Sequence, residues 1–208
     1  MTKSLAIAGI HTGIGKTIAS AVIAEALSAD YWKPVQAGIQ ERDTDLVRKL
    51  ISNGAHRVHA ESVLLSQPMS PHAAATADGI EIDFTKFVWP VTNNMLLVET
   101  AGGLLSPMSE NKTMADFISY FQLPVILVAA NYLGSINHTL LTLEVLKARG
   151  IKLIGIIMSG TSSLSSESFI EQYSESSIIA GIPHFEVIDA DAIKNCAALI
   201  KSNLLKFI

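Results

Sequence analysis

Near its start the chain reads Gly9-Ile10-His11-Thr12-Gly13-Ile14-Gly15-Lys16-Thr17. These residue types at this spacing bind phosphate. Small residues let backbone N–H groups turn toward phosphate oxygens. A helix that follows adds the positive end of its dipole, about half a charge. Lys16 can reach the β- and γ-phosphates of a nucleoside triphosphate, and the Thr17 hydroxyl can ligate Mg²⁺. The general spacing puts a glycine at position 10, where this chain has Ile10, and Gly9 stands one residue earlier. A second cluster, Val98-Glu99-Thr100-Ala101-Gly102-Gly103, joins an acid to a glycine-rich turn. In phosphate-loop enzymes such an acid meets Mg²⁺ or its water shell, and the glycines let backbone approach the γ-phosphate.

Other residues have two accounts each. Lys33 precedes Pro34-Val35-Gln36-Ala37-Gly38. Proline stiffens that exit and Gly38 permits a tight turn. Lys33 is either a surface lysine capping a strand or a second positive charge facing the phosphate-loop crevice. Asp43-Thr44-Asp45 begins a helical stretch. Capping accounts for Asp43. Asp45 is either a cap or a carboxylate set against Mg²⁺, directly or through water. Gly134-Ser135-Ile136-Asn137-His138 opens another helix. Its start is either a Ser135 N-cap or a set of backbone N–H groups suited to a carboxylate. Ser70-Pro71-His72 opens a short helix, where a structural role is the simpler account of His72. His11 either tunes anion binding or points to water. No Ser-His-Asp order or thiol nucleophile stands out.

The elements that must position these residues follow from patterning. Apolar runs predict strands at Ser4–Ala8, Tyr31–Val35, Met95–Glu99, Val125–Ala129, Leu153–Met158 and His184–Val187. Three are nearly continuous, as in strands covered on both faces. Helical stretches alternate with them at Thr17–Ser28, Asp43–Ile51, Thr113–Phe121, Ile136–Arg149, Glu167–Glu175 and Asp189–Leu205. Leu140, Leu141, Leu143 and Leu146 recur at helical spacing and read as core. Gly150 stands where a C-terminal cap belongs. The alternation predicts an α/β fold: a mostly parallel central sheet flanked by helices on both faces, like a phosphate-loop NTPase. Ligands then gather at the carboxyl ends of the strands.

The bulk numbers bound the rest. A chain of 208 residues suits one domain spanning 1–208. Hydrophobic residues at 49% and charged residues at 16% exclude disorder. A net charge of −4 with a pI of 5.8 and no basic block makes a poor nucleic-acid binder. Cys196 is the single cysteine, so no internal disulfide is available, and no Cys/His metal spacing occurs. No apolar stretch approaches the ~20 residues of a membrane span. The N-terminal run enters the phosphate loop and does not read as a signal peptide. A soluble, reducing compartment, the cytoplasm, is the expectation.

Taken together, Thr12–Thr17, Lys33-Pro34-Val35, Thr44-Asp45, Ser70-Pro71-His72, Val98–Gly103, Leu123–Val128 and Leu133–His138 resemble the dethiobiotin synthetases, ATP-dependent enzymes of biotin synthesis. The resemblance covers nearly the whole chain through Ser159 and weakens afterwards. The family's variant phosphate loop also lacks the early glycine, in keeping with Ile10. The resemblance implies that 7,8-diaminopelargonic acid, CO₂ and ATP are the substrates, with Mg²⁺ as cofactor. It implies Mg²⁺ positions at Thr17, Asp45 and Glu99, and catalytic lysines at Lys16 and Lys33. Nucleotide contacts are implied at Gly13, Ile14, Gly15, Lys16, Thr17 and Ile18. Others fall at Asp45, Glu99, Thr100, Ala101, Gly102, Ser159 and Pro183. Substrate contacts are implied at Thr12 and Ala37. Gly134, Ser135 and Asn137 match a segment that a neighbouring subunit offers to the substrate's carboxylate tail, which implies a homodimer with shared sites. Three positions depart from the family pattern. Gly13 stands where an acid is common, Ala37 where a serine contacts substrate, and Ser159-Gly160 where asparagine reads the base. Rival readings are another phosphate-loop ligase or amidase, and a partition-type nucleotide switch.

Overall fold

The computed structural model describes residues 4–208. The run Leu5-Ala6-Ile7-Ala8 is fully buried and forms the middle of β1 (Ser4–Gly9). Strands buried on both faces belong to parallel sheets, and β1 pairs in parallel with β5 (Leu96–Glu99) and β6 (Val125–Ala130). The six-stranded sheet adds β2 (Asp30–Trp32) beside β5, with β7 (Leu153–Ser159) and β8 (Ile178–Ile182) beyond β6. Its order is β2-β5-β1-β6-β7-β8, and every pairing is parallel. A smaller parallel sheet joins β3 (Val35–Ala37) to β4 (Val63–Leu65).

Helices α1 (Lys16–Leu27), α2 (Asp43–Leu50), α3 (Gly54–Arg57) and α4 (Pro71–Asp78) fall in the first half. Helices α5 (Met114–Tyr120), α6 (Ser135–Ala148), α7 (Leu164–Ser174) and α8 (Ala190–Leu204) follow. Parallel crossovers are right-handed. The β1-to-β2 crossover moves one way across the sheet, whereas β5-to-β6, β6-to-β7 and β7-to-β8 move the other. That puts α1 on one face and α5, α6 and α7 on the opposite face. Helix α8 packs on α1. The alanines and Val22 and Ile23 of α1 are buried nearly all round, which lets α1 sit between sheet and α8. Residues from all these strands share one hydrophobic core with Ile193 and Cys196 of α8.

Three expectations are corrected. The Tyr31–Val35 strand is broken at Lys33-Pro34: β2 ends at Trp32 in the large sheet and β3 begins at Val35 in the small one. Proline lacks a backbone donor and cannot continue the ladder of the large sheet. Lys33 therefore stands at the junction of the two sheets. His184–Val187 is not a strand; β8 is Ile178–Ile182, stopped by Pro183. Leu141 is exposed, while Leu143 and Leu146 are buried. Segments β4 and α3 had no advance signal in the apolar pattern.

Candidate active site

Residues 10–15 turn from β1 into α1 with left-handed backbone at Gly13 (φ 73°) and Gly15 (φ 87°). A side chain on Gly15 would run into the Ser159 hydroxyl. The structure also explains Gly9. A Cβ there would lie 2.8 Å from Lys16 Cδ, because the Lys16 stem folds back along the loop. The open space that this loop needs is beside position 9, so Ile10 is tolerated. Lys16 Nζ donates to the His11 carbonyl at 2.9 Å. Burial lowers the Lys16 ammonium to about 8; Glu99 opposes that shift and Lys33 adds to it. A phosphate on this loop would restore the full charge.

At the start of α1, the Thr17 hydroxyl meets two carboxylates: Asp43 Oδ1 at 2.8 Å and Glu99 Oε1 at 3.1 Å. Lys33 Nζ bonds Asp43 Oδ2 and lies 3.4 Å from Glu99 Oε1. Burial alone would lower Lys33, but Glu99 and Asp43 outweigh it and hold the lysine above its ordinary range. Glu99 is buried at the C-terminal end of β5, in register with Ile7 of β1. Ser20 Oγ donates to its Oε2 at 2.6 Å and Tyr31 Oη at 3.1 Å.

Asp45 does not join this cluster. Its carboxylate accepts from Arg42 Nε at 2.8 Å and Arg48 Nη1 at 2.6 Å on the outer side of α2. Asp43 stands there instead, against Thr17 and Lys33, and it is not the cap; Arg42 is the N-cap residue. The reason is helical phase. Asp43, Val47 and Leu50 are spaced i, i+4, i+7 on one face, and Val47 and Leu50 are buried. Asp45 lies about 200° round the helix from Asp43. That spacing was present in the sequence as a usable signal.

Thr17, Asp43 and Glu99 are hard oxygen donors at one point. Two carboxylates and a hydroxyl suit Mg²⁺, which keeps several waters and takes further oxygens from substrate phosphates. A site built only of protein side chains would need more donors, and among the described residues no group of three or more His, Cys, Asp and Glu side chains is placed to hold a metal.

Beside the cluster lies a cavity of about 410 Å³, bordered by Thr12, Lys33, Ala37, Asp43, Ala101 and Gly102. The loop from Pro68 to Pro71 closes its far wall. A side chain on Gly102 would run into Ser106 and approach Thr12 Oγ1 to 3.5 Å, so the β5 exit lies directly against the phosphate loop. Thr100 is turned inward: its hydroxyl donates to the Ile7 carbonyl at 3.3 Å and ties the β5 exit to β1. The Ile14 side chain belongs to the core and Ile18 packs against it, which leaves backbone as what these two present to a ligand. Ser159 ends β7 in register with Ile182, one residue before Pro183, and Gly160 N donates to Ile182 O at 2.8 Å. The two strand ends thus stand together behind Gly15. Gly134 and Asn137 are exposed at the start of α6, next to the fully exposed Leu133, and Ser135 is buried with its hydroxyl accepting from Tyr132 N. None of the three borders the Lys33 cavity. Gln36, Asp43, Ser20 and Tyr31 are the site neighbours that motif reading missed.

Comparison with known proteins agrees with this architecture. A family model described as an AAA domain matches residues 3–192. The ATP-dependent dethiobiotin synthetase of Christiangramia forsetii is 44% identical over 205 residues, covering 98% of this chain and 99% of its own. That of Cytophaga hutchinsonii is 41% identical over 202 residues, covering 97% and 98%. Among solved structures, a plasmid partition protein from Borrelia burgdorferi aligns with a TM-score of 0.56 at 14% identity, over 100% of this chain and 99% of that one. The MinD cell division protein of Aquifex aeolicus aligns at 0.55 and 12%, over 99% and 96%. At such identity these two share the fold alone. The sequence relatives reach further, and by them the chain belongs to the ATP-dependent dethiobiotin synthetase family.

Proposed function

We propose that this protein closes the ureido ring of dethiobiotin from 7,8-diaminopelargonic acid and CO₂ at the cost of ATP, in the cytoplasm. The observation that carries the reading is the cavity shared by Thr12 of the phosphate loop, Lys33 and Asp43. An anion seated there would meet Lys33, beside Thr12 of the phosphate loop that carries Lys16. In the first step an amine nitrogen bonds the CO₂ carbon and loses a proton, giving a carbamate. A carbamate oxygen then attacks the γ-phosphorus, and the bond to the leaving ADP oxygen breaks. The second amine attacks the carbamoyl carbon, the bond to phosphate breaks, and the ring closes with loss of a proton.

Little covalent work falls to the protein. Carbamate and γ-phosphate are both anions, and Lys16 and Lys33 offset their repulsion. Holding the two in line can contribute about 7–11 kcal/mol. Lys33, now paired with Asp43 and Glu99, is the cation that would turn to the carbamate. Thr17, Asp43 and Glu99 would hold Mg²⁺, which when bound supplies charge neutralisation for the transferred phosphoryl group. Gly13, Gly15 and Lys16 bind the phosphates, while Ser159 and Pro183 border the base. Gly134, Ser135 and Asn137 complete the site of a second copy in a homodimer; the exposure of Gly134 and Asn137 beside Leu133 supports this.

The test is phosphate release with and without diaminopelargonate and bicarbonate, run with ATP, GTP and CTP. Release that requires both supports the synthetase. Release without diamine points to a nucleotide switch, and dependence on another amine or carboxylate points to a different ligase.

A further inference from the structure

The Glu99 carboxylate has its two oxygens in different company. Oε2 accepts from Ser20 Oγ at 2.6 Å and from Tyr31 Oη at 3.1 Å. Oε1 faces Thr17 Oγ1 at 3.1 Å and Lys33 Nζ at 3.4 Å. Ser20 and Tyr31 are both completely buried, and Glu99 nearly so. The sorting follows from simple periodicities. Ser20 is three residues after Thr17 on α1, so both look at the sheet from one helix face. Tyr31 lies in β2, two residues before Lys33 at the sheet junction, and both side chains reach Glu99. Neither Ser20 nor Tyr31 belongs to the phosphate-loop spacing or to the residues the family resemblance implies.

We propose that Ser20 and Tyr31 are positioning residues: together they pin Glu99 by Oε2, so that Oε1 alone is presented toward Thr17 and the metal position. This rests on the reading of Glu99 as a metal-side acid. Hydrogen bonds from buried donors to a charged acceptor are strong, and a buried tyrosine hydroxyl needs a partner. Without them the carboxylate can turn about its last bond and offer either oxygen, or both, to Lys33. The contacts on Oε1 are the ones that must give way when ligands arrive, whereas those on Oε2 stay.

The experiment compares wild type with Ser20→Ala, Tyr31→Phe, the double variant, Ser20→Thr and Glu99→Gln. Calorimetry measures binding of a non-hydrolysable ATP analogue as Mg²⁺ is titrated, and again in EDTA. Steady-state turnover is followed over the same Mg²⁺ range. Loss of a supporting hydrogen bond behind a metal ligand typically weakens metal affinity by about tenfold or more. We expect the half-saturating Mg²⁺ to rise about tenfold in the double variant and less in each single one. Binding in EDTA and turnover at saturating Mg²⁺ should stay close to wild type, and Ser20→Thr should restore the wild-type Mg²⁺ dependence. A purely structural role would lower the melting temperature without moving the Mg²⁺ midpoint. An unmoved midpoint in the double variant, with Glu99→Gln shifted, overturns the proposal alone. An unmoved midpoint in Glu99→Gln as well overturns it together with the metal reading beneath it.

Discussion

The two ends of the nucleotide site are built differently. At the phosphate end, Lys16, Lys33, Asp43 and Glu99 are charges held within hydrogen-bond reach of one another or of backbone, and Thr17 bridges the two acids. At the end proposed for the base, Ser159 offers a hydroxyl that lies against Gly15, and Pro183 follows a strand whose last carbonyl already serves Gly160. One end is a preorganised field of charge; the other is mostly shape and backbone. A site discriminates ligands only through groups that would be left unpaired by the wrong one. Under the proposed function, the contrast puts binding strength and catalysis at the phosphate end and predicts weak choice at the base end.

The largest effect should come from Lys16→Ala. It removes the cation of the phosphate loop, and turnover should fall by about 10³-fold, in the range seen for loss of one charge-stabilising donor. Near-normal turnover would remove the phosphate-loop reading. Next, Lys33→Ala should lower turnover by about 10²-fold and change ATP affinity little, because its charge matters where carbamate meets γ-phosphate. Equal losses in calorimetric affinity and turnover would make it a plain phosphate clamp.

A sharper test lies within α2. Asp43→Asn should raise the Mg²⁺ requirement by about tenfold, since it deletes one hard-oxygen donor. Asp45→Asn should leave the Mg²⁺ titration unchanged, because its partners are Arg42 and Arg48. The reverse pattern would return Asp45 to the metal. At the base end, ATP, GTP and CTP should support turnover within roughly tenfold, about 1.4 kcal/mol. A preference for ATP above about a hundredfold (some 2.7 kcal/mol) in kcat/KM would show that the segment after β8 reads adenine.

The smallest effect is a control remote from both ends. Asp116 closes a capping box with Thr113 at the start of α5 and pairs with Arg149 at 2.9 Å. Burial alone would raise its carboxyl, but Thr113 and Arg149 outweigh that and hold it at about 2. A carboxyl depressed in the folded state adds stability above its unfolded value near 3.8. That contribution is lost as pH falls through about 2. Asp116→Asn should therefore cost about 1 kcal/mol in denaturant unfolding at neutral pH and less at pH 2. Activity per folded molecule should not change. A loss of turnover at full folding would mean that α5 is coupled to the site.

The long apolar runs were legible as strands because burial on both faces leaves no polar positions, as in Val125–Ala129. Short elements were not. Val63–Leu65 is only three residues long and is held by pairing with β3. Ile178–Ile182 contains Ala180 and Gly181, poor strand formers, and owes its state to its ladder with β7. His184–Val187 alternates as a strand would, yet Val187 is exposed and no neighbouring strand receives it.

What the chain determined by itself was local: a glycine-rich turn after a strand, a lysine and threonine opening a helix, and an acid at a strand end. Those groups are fixed by spacing along one or two elements, so their chemistry can be read without a fold. Only the tertiary structure decided between Asp43 and Asp45, because that choice depends on which face of α2 meets α1 and the sheet. It also decided that Lys33 bridges two acids at the junction of two sheets, and that Ser20 and Tyr31 stand behind Glu99. Each of these is a contact between residues far apart in sequence, made where burial forces every charge to find a partner.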